Sequence, residues 1–205
     1  MIDVEVEFFS GVLTGTEDDD SFVSTEQGAF NLAIDLRGGD DLFSATSNLD
    51  NGVGIGESIV DGGSGNDTIE GFATGANSIG IGDSLIVGGD GDDIINARGT
   101  RRGIEGAILV GGAGNDSFSI KNGIGTVVGG EGDDLLTLAG SIDDYVYTPL
   151  YDVNTDDPID IDAFLKIEGA VTELLVAQVE VIQFESDPGT FITITDLPVT
   201  ETSEM

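Results

Sequence analysis

The chain has 205 residues, of which 40 are Asp or Glu and only 6 are Lys or Arg. Its formal charge is −34, and it contains no His, Cys or Trp. These absences exclude thiol nucleophiles, disulfides, zinc fingers and histidine-based acid–base chemistry, while the charge opposes nucleic acid or anionic membrane as a partner and favours cations.

A disordered acidic chain would be poor in apolar residues, but here 39% are hydrophobic. Glycine occurs 32 times, more than twice its ordinary share of ~7%, so repeated tight turns are expected. No apolar run reaches the ~18 residues of a membrane span. The first residues, Met1-Ile2-Asp3-Val4-Glu5-Val6-Glu7, have neither a basic nor an apolar signal region, so no secretory signal peptide is expected.

In chain order, residues 1–14 read as an N-terminal cap strand around Val4-Glu5-Val6-Glu7-Phe8-Phe9. A repeat region follows over 15–140. Gly15-Thr16-Glu17-Asp18-Asp19-Asp20 and Leu36-Arg37-Gly38-Gly39-Asp40-Asp41 are decayed copies. Four strong copies come next: Gly62-Gly63-Ser64-Gly65-Asn66-Asp67, Gly88-Gly89-Asp90-Gly91-Asp92-Asp93, Gly111-Gly112-Ala113-Gly114-Asn115-Asp116 and Gly129-Gly130-Glu131-Gly132-Asp133-Asp134. Successive copies begin 21, 26, 26, 23 and 18 residues apart. A short apolar run precedes each strong copy, and a large apolar residue stands two places after each terminal Asp. Apolar runs this short between glycines predict strands, not helices. Two strands and two turns per repeat would make one coil, with the extra residues of the longer repeats in the turn opposite the glycine loop.

Residues 141–198 read as a C-terminal β-rich cap. Its strands are expected at Tyr145-Val146-Tyr147, Phe164-Leu165-Lys166-Ile167, Val179-Glu180-Val181-Ile182 and Phe191-Ile192-Thr193-Ile194. The stretch from Ala170 to Gln178 fits either a strand or a helical turn. Residues 199–205 read as a mobile tail.

The strong copies resemble the hemolysin-type calcium-binding repeat of the repeats-in-toxin family, whose nonapeptide GGxGxDxUx carries an apolar U. The resemblance covers roughly residues 15–138. It implies an all-β chain: a right-handed parallel β-roll or β-helix solenoid of about six coils with terminal β-rich caps. No spacing singles out a carboxylate pair for catalysis among so many acids, so a non-enzymatic role is expected. Family members often leave bacteria without a cleaved leader, so a secreted, extracellular chain is expected, with a cytoplasmic one as the other possibility. The family's usual array places such a loop on both edges, whereas here only one edge keeps it.

Calcium takes 6–8 hard oxygen ligands, and glycine turns let main-chain carbonyls approach an ion without interference from Cβ. The expected carboxylate ligands are Asp20, Asp41, Asp67, Asp93, Asp116 and Asp134. The expected carbonyl ligands are Gly63, Ser64 and Gly65; Gly89, Asp90 and Gly91; Gly112, Ala113 and Gly114; and Gly130, Glu131 and Gly132. Three to five Ca²⁺ between stacked loops follow from this arrangement. Arg98, Arg101 and Arg102, with Lys121 in the next turn, fall opposite the loops and could form one cationic spot. Local neutralisation by neighbours such as Glu105 explains them simply, and contact with an acidic polysaccharide is the alternative. Three roles therefore stand: a Ca²⁺-stabilised scaffold or adhesion module, a carbohydrate-binding or carbohydrate-active domain, and a cytoplasmic calcium buffer.

Overall fold

The structure, a computed structural model, describes residues 3–5, 11–149 and 165–193. Residues 6–10, Phe164, Ile194 and the expected tail over 199–205 lie outside the described residues. Strands are numbered in chain order, and all are held in two sheets built chiefly of parallel neighbours. The first sheet runs β1 (Asp3–Glu5), β3 (Ser21–Ser24), β6 (Leu42–Ser47), β9 (Thr68–Ala73), β12 (Ile94–Gly99), β14 (Ser117–Ile120), β16 (Leu135–Leu138), β20 (Val181–Phe184) and β21 (Asp187–Thr193). The second runs β2 (Gly11–Thr14), β5 (Leu32–Asp35), β8 (Ile59–Ser64), β11 (Leu85–Asp90), β13 (Arg102–Ala113), β15 (Gly123–Glu131), β19 (Glu173–Ala177), β18 (Leu165–Gly169) and β17 (Tyr145–Pro149). Three short strands join it from the side: β4 (Ala29–Phe30), β7 (Val53–Gly56) and β10 (Ile79–Gly82). The architecture is all-β and β-helix-like.

Strand alternation decides what is buried. In the first sheet Phe22, Phe43, Ile69, Ile95, Phe118, Leu136 and Ile182 stand in direct register. All seven are buried, the first six as the apolar position two places after each loop aspartate predicts. Facing them, Ile34, Val60, Ile86, Leu109, Val127 and Val176 form a second in-register column, also buried. Period-2 alternation sends their neighbours outward, so Ile59 is 54% exposed beside fully buried Val60.

The extra residues of the longer repeats are not an irregular turn. In the two 26-residue repeats they form β7 and β10, which stack in register and place Ile55 and Ile81 above one another, fully buried. The corner after each strand is held by a serine. Ser58 Oγ accepts the N–H of Leu32, and Ser84 Oγ accepts that of Ser58, both at 3.1 Å. Further along, β13 takes both roles, pairing with β10 through Ile104 and with β11 through Ile108, with a bulge between Glu105 and Ala107.

Parallel pairing continues past residue 140. β19 lies parallel to β15 and β20 parallel to β16. The Ala170–Gln178 stretch, which the sequence leaves open, therefore contains a strand. Antiparallel β18, β17 and β21 then cover that end, which shields the sheet edges from further strand addition.

With Phe118 fully buried in the middle of its column, Phe118→Ala should cost about 3–5 kcal/mol. Exposed Ile59→Ala should stay within about 0.5 kcal/mol. Denaturant unfolding of the two variants under identical conditions checks the difference.

Candidate metal centre

The six glycine loops join the second sheet to the first along one edge. In the strong copies the strand of the second sheet extends through the first three loop residues, as in Ile59–Ser64 and Leu85–Asp90. The chain turns at positions four and five and re-enters the first sheet after the aspartate. The turn needs a backbone that side chains disfavour: Gly65 and Gly91 have φ of +121° and +135°. A Cβ on Gly91 would also overlap the carbonyl oxygen of Gly65 one repeat earlier. Glycine at position four is therefore required twice, by its dihedral angle and by the tightness of loop stacking.

Position six carries the buried carboxylates. From Asp41 onward, Oδ1 of each accepts the main-chain N–H of the equivalent aspartate in the preceding repeat. Asp20 N–H donates to Asp41 at 2.6 Å, Asp41 to Asp67 at 2.8 Å, Asp67 to Asp93 at 2.7 Å, Asp93 to Asp116 at 2.8 Å and Asp116 to Asp134 at 2.7 Å. The second oxygen is different. Oδ2 of Asp41, Asp67, Asp93, Asp116 and Asp134 is buried and has no hydrogen-bond partner. Burial pushes these carboxyls up from their ordinary value, that of Asp93 to about 7 and those of Asp67 and Asp134 to about 6, with neighbouring acids adding to the rise. Asp41 and Asp116 shift the same way for the same first cause.

Each orphan oxygen of the strong copies faces the first glycine of its own loop. A Cβ on Gly62, Gly88, Gly111 or Gly129 would collide with Oδ2 of Asp67, Asp93, Asp116 or Asp134 respectively. At Gly62 and Gly88 it would also meet the first-position carbonyl oxygen of the next loop, that of Gly88 or Gly111. The missing Cβ thus lets a carboxylate oxygen, and at Gly62, Gly88 and Gly129 a main-chain oxygen of the next loop position as well, pack directly against the glycine. Among the described residues no three acidic side chains converge on one point, so a cation held here would draw most of its ligands from main-chain carbonyls. That donor set, hard oxygens only, fits calcium.

The decayed copies differ. Asp20 Oδ2 accepts from the Thr16 N–H at 2.6 Å and from its hydroxyl at 3.0 Å, so a threonine at position two fills the role an ion would take. In the second copy Leu36 occupies position one and is fully buried, so a side chain stands where the strong copies have a glycine.

Position five builds an outer ladder that sequence reading did not anticipate. Oδ1 of Asp19, Asp40, Asn66, Asp92 and Asn115 accepts the N–H of Asp40, Asn66, Asp92, Asn115 and Asp133 in turn, at 2.7–3.0 Å. The signal was present in the sequence as the Asn-or-Asp choice at that position. Asn serves as well as Asp because only one acceptor oxygen is needed.

The cationic residues do not form one spot. Arg101 and Arg102 both pair with Glu105. Arg98 pairs with Glu185 at 3.2 Å and, with Lys121, Phe72 and Thr46, lines a shallow hollow of about 610 Å³ on the first sheet. No protein-family model matches the chain, and no curated protein matches it.

Gly91→Ala should cost about 1–3 kcal/mol from backbone strain alone, with the overlap on Gly65 added. Gly82→Ala, whose new Cβ would find its nearest neighbour, Val53 Cγ1, at 3.4 Å, should stay within about 1 kcal/mol. Thermal melts compare them. The pH dependence also has a definite sign. Folded-state values near 6–7 lie above the unfolded 3.8, so these groups stabilise the fold most below pH ~4, and that contribution is lost as pH rises through 6–7. In chelator, stability should therefore fall between pH 4 and 7. In saturating calcium, which requires the ionised form, the slope over that range should reverse. Denaturant titrations at several pH values read both slopes.

Proposed function

We propose that the chain is a calcium-binding structural module: a right-handed solenoid of about six stacked coils with a β-rich cap, holding a row of Ca²⁺ along its loop edge. The observation that carries this reading is the row of buried aspartate oxygens without partners, four of them packed against a glycine whose missing Cβ admits the oxygen. Bound calcium supplies positive charge where the fold has buried negative charge. The chain's own part is to fix the carboxylates through the N–H ladder, to present main-chain oxygens and to exclude water from the inner row. Reliance on main-chain oxygens in an uneven shell favours Ca²⁺ over Mg²⁺, which demands near-octahedral ligands. The role proposed is that of a non-enzymatic scaffold or adhesion component. An extracellular setting suits it, because even sites of low affinity fill at the calcium levels that extracellular modules meet.

The hollow beside Phe72, with Arg98 and Lys121 at its rim, favours a second reading in which the same module contacts an acidic saccharide. Pull-down on acidic polysaccharide with and without Arg98→Ala separates that role from a purely structural one.

Calorimetry should give three to five Ca²⁺ per chain and no comparable Mg²⁺ binding; no calcium binding, or equal magnesium binding, would overturn the reading. Excess chelator at low salt should expand the chain and reduce its β signal, with high salt partly restoring both by screening. Circular dichroism with small-angle scattering follows this. Asp93→Ala should raise the calcium midpoint well above that of Asp20→Ala, because Asp20 is already satisfied by Thr16 whereas Asp93 is not.

A further inference from the structure

The glycine motif ends at Asp134, but the geometry of the loop edge does not. The turn between β19 and β20 stands in the next position of the stack, and two of its residues match loop positions. Gln178 takes the place of a first glycine, its carbonyl oxygen accepting the Gly130 N–H at 3.2 Å. Glu180 takes the place of a sixth-position aspartate, its Oε2 accepting the Asp134 N–H at 2.7 Å. One residue separates Gln178 from Glu180, whereas four separate the first and sixth positions of a full loop. Glutamate's additional methylene lets the shorter turn reach the same N–H. Gln178 adopts φ +49°, a left-handed corner in place of the glycine turn.

Beneath this turn the oxygens are arranged as they are between the repeats. Asp134 is 0% exposed, and its Oδ2 is buried without a partner. A Cβ on Gly129 would meet that oxygen and the carbonyl oxygen of Gln178 together, as one on Gly62 would meet Asp67 Oδ2 and the Gly88 carbonyl. Resting on the calcium reading above, we propose a terminal cation site in which Asp134 and the Gly129 loop form one wall and Gln178 and Glu180 the other. Counting motifs finds three intervals between strong loops; the structure adds a fourth, completed by residues outside any motif. The opposite end closes without an ion, because Thr16 satisfies Asp20. The row of cations is therefore displaced toward the C-terminal cap, and calcium ties that cap to the repeats.

The test is to crystallise the full chain with calcium and locate the ions by anomalous scattering. An ion bounded by Gly129, Asp134, Gln178 and Glu180 supports the proposal. Ions between the earlier loops with none at this position overturn it while leaving the calcium reading intact, and no ion anywhere overturns that reading itself. In solution, Glu180→Gln keeps an acceptor for the Asp134 N–H but removes the charge. The calcium stoichiometry should drop by one, or one step of the titration should weaken at least about tenfold, with the other steps unchanged. A titration identical to that of the native chain overturns the proposal. Should the variant fail to fold, the anomalous map of the native chain decides.

Discussion

A buried carboxylate must be protonated, paired with a cation or fully hydrogen-bonded, because desolvating an isolated charge costs far more than a marginal fold can supply. The loop edge sets that problem five times over, at about the spacing of neighbouring strands. Each aspartate satisfies one oxygen by accepting a main-chain N–H from the repeat before it and leaves the other without a partner. The first bond fixes the carboxylate in position; the second oxygen makes that position costly for the ionised group. Protonation offers one way out, as the raised pKa of Asp93 shows, but at neutral pH it is incomplete. A row of divalent cations is the other, and it keeps every hydrogen bond of the ladder.

The same ladder explains why the repeats vary in length without disturbing the loops. Intervals run from 18 to 26 residues, yet the register at position six never slips. The inner and outer ladders join successive loops in opposite senses: the inner carboxylate accepts from the repeat before it, the outer side chain from the repeat after it. A loop held in both directions cannot shift by one residue without losing two bonds to each neighbour. Length variation is therefore absorbed on the far side, where β7 and β10 form in the longest repeats and where β13 and β15 straighten the corner in the shorter ones.

Much of this was legible in the residues. The loops, the inward apolar column and the strands flanking each loop follow from Gly-Gly-x-Gly-x-Asp and the apolar residue after it, since each depends on local spacing. The third strand was not legible. Val53-Gly54-Ile55-Gly56 and Ile79-Gly80-Ile81-Gly82 have glycine at every second position, which reads as a turn. The structure uses those glycines for close packing instead: a Cβ on Gly54 would strike the backbone of Phe72 and Gly80. The gathering of four cationic residues on one side was visible, but not its division, because the partner of Arg98 is Glu185, 87 residues along the chain.

The end of the stack shows why motif counting and structure diverge. A motif records every feature a full loop needs, including the glycines that let the chain turn over five residues. The ladder itself asks for less: one carboxylate at hydrogen-bonding reach of the previous N–H, and one carbonyl above the first glycine. Glu180 and Gln178 meet those two demands with a turn that has lost the rest. Their form also suits a boundary. A glycine-rich loop at the end of the stack would be ordered from one side only, and its glycines lose more conformational entropy on folding than other residues. A short turn between two strands, one of them backed by the antiparallel β18, is ordered by its own sheet. It presents the last loop with a surface that does not depend on the loops for its shape. The repeats are thus stacked against a wall built from ordinary β-structure, and the charge problem of the loop edge ends there.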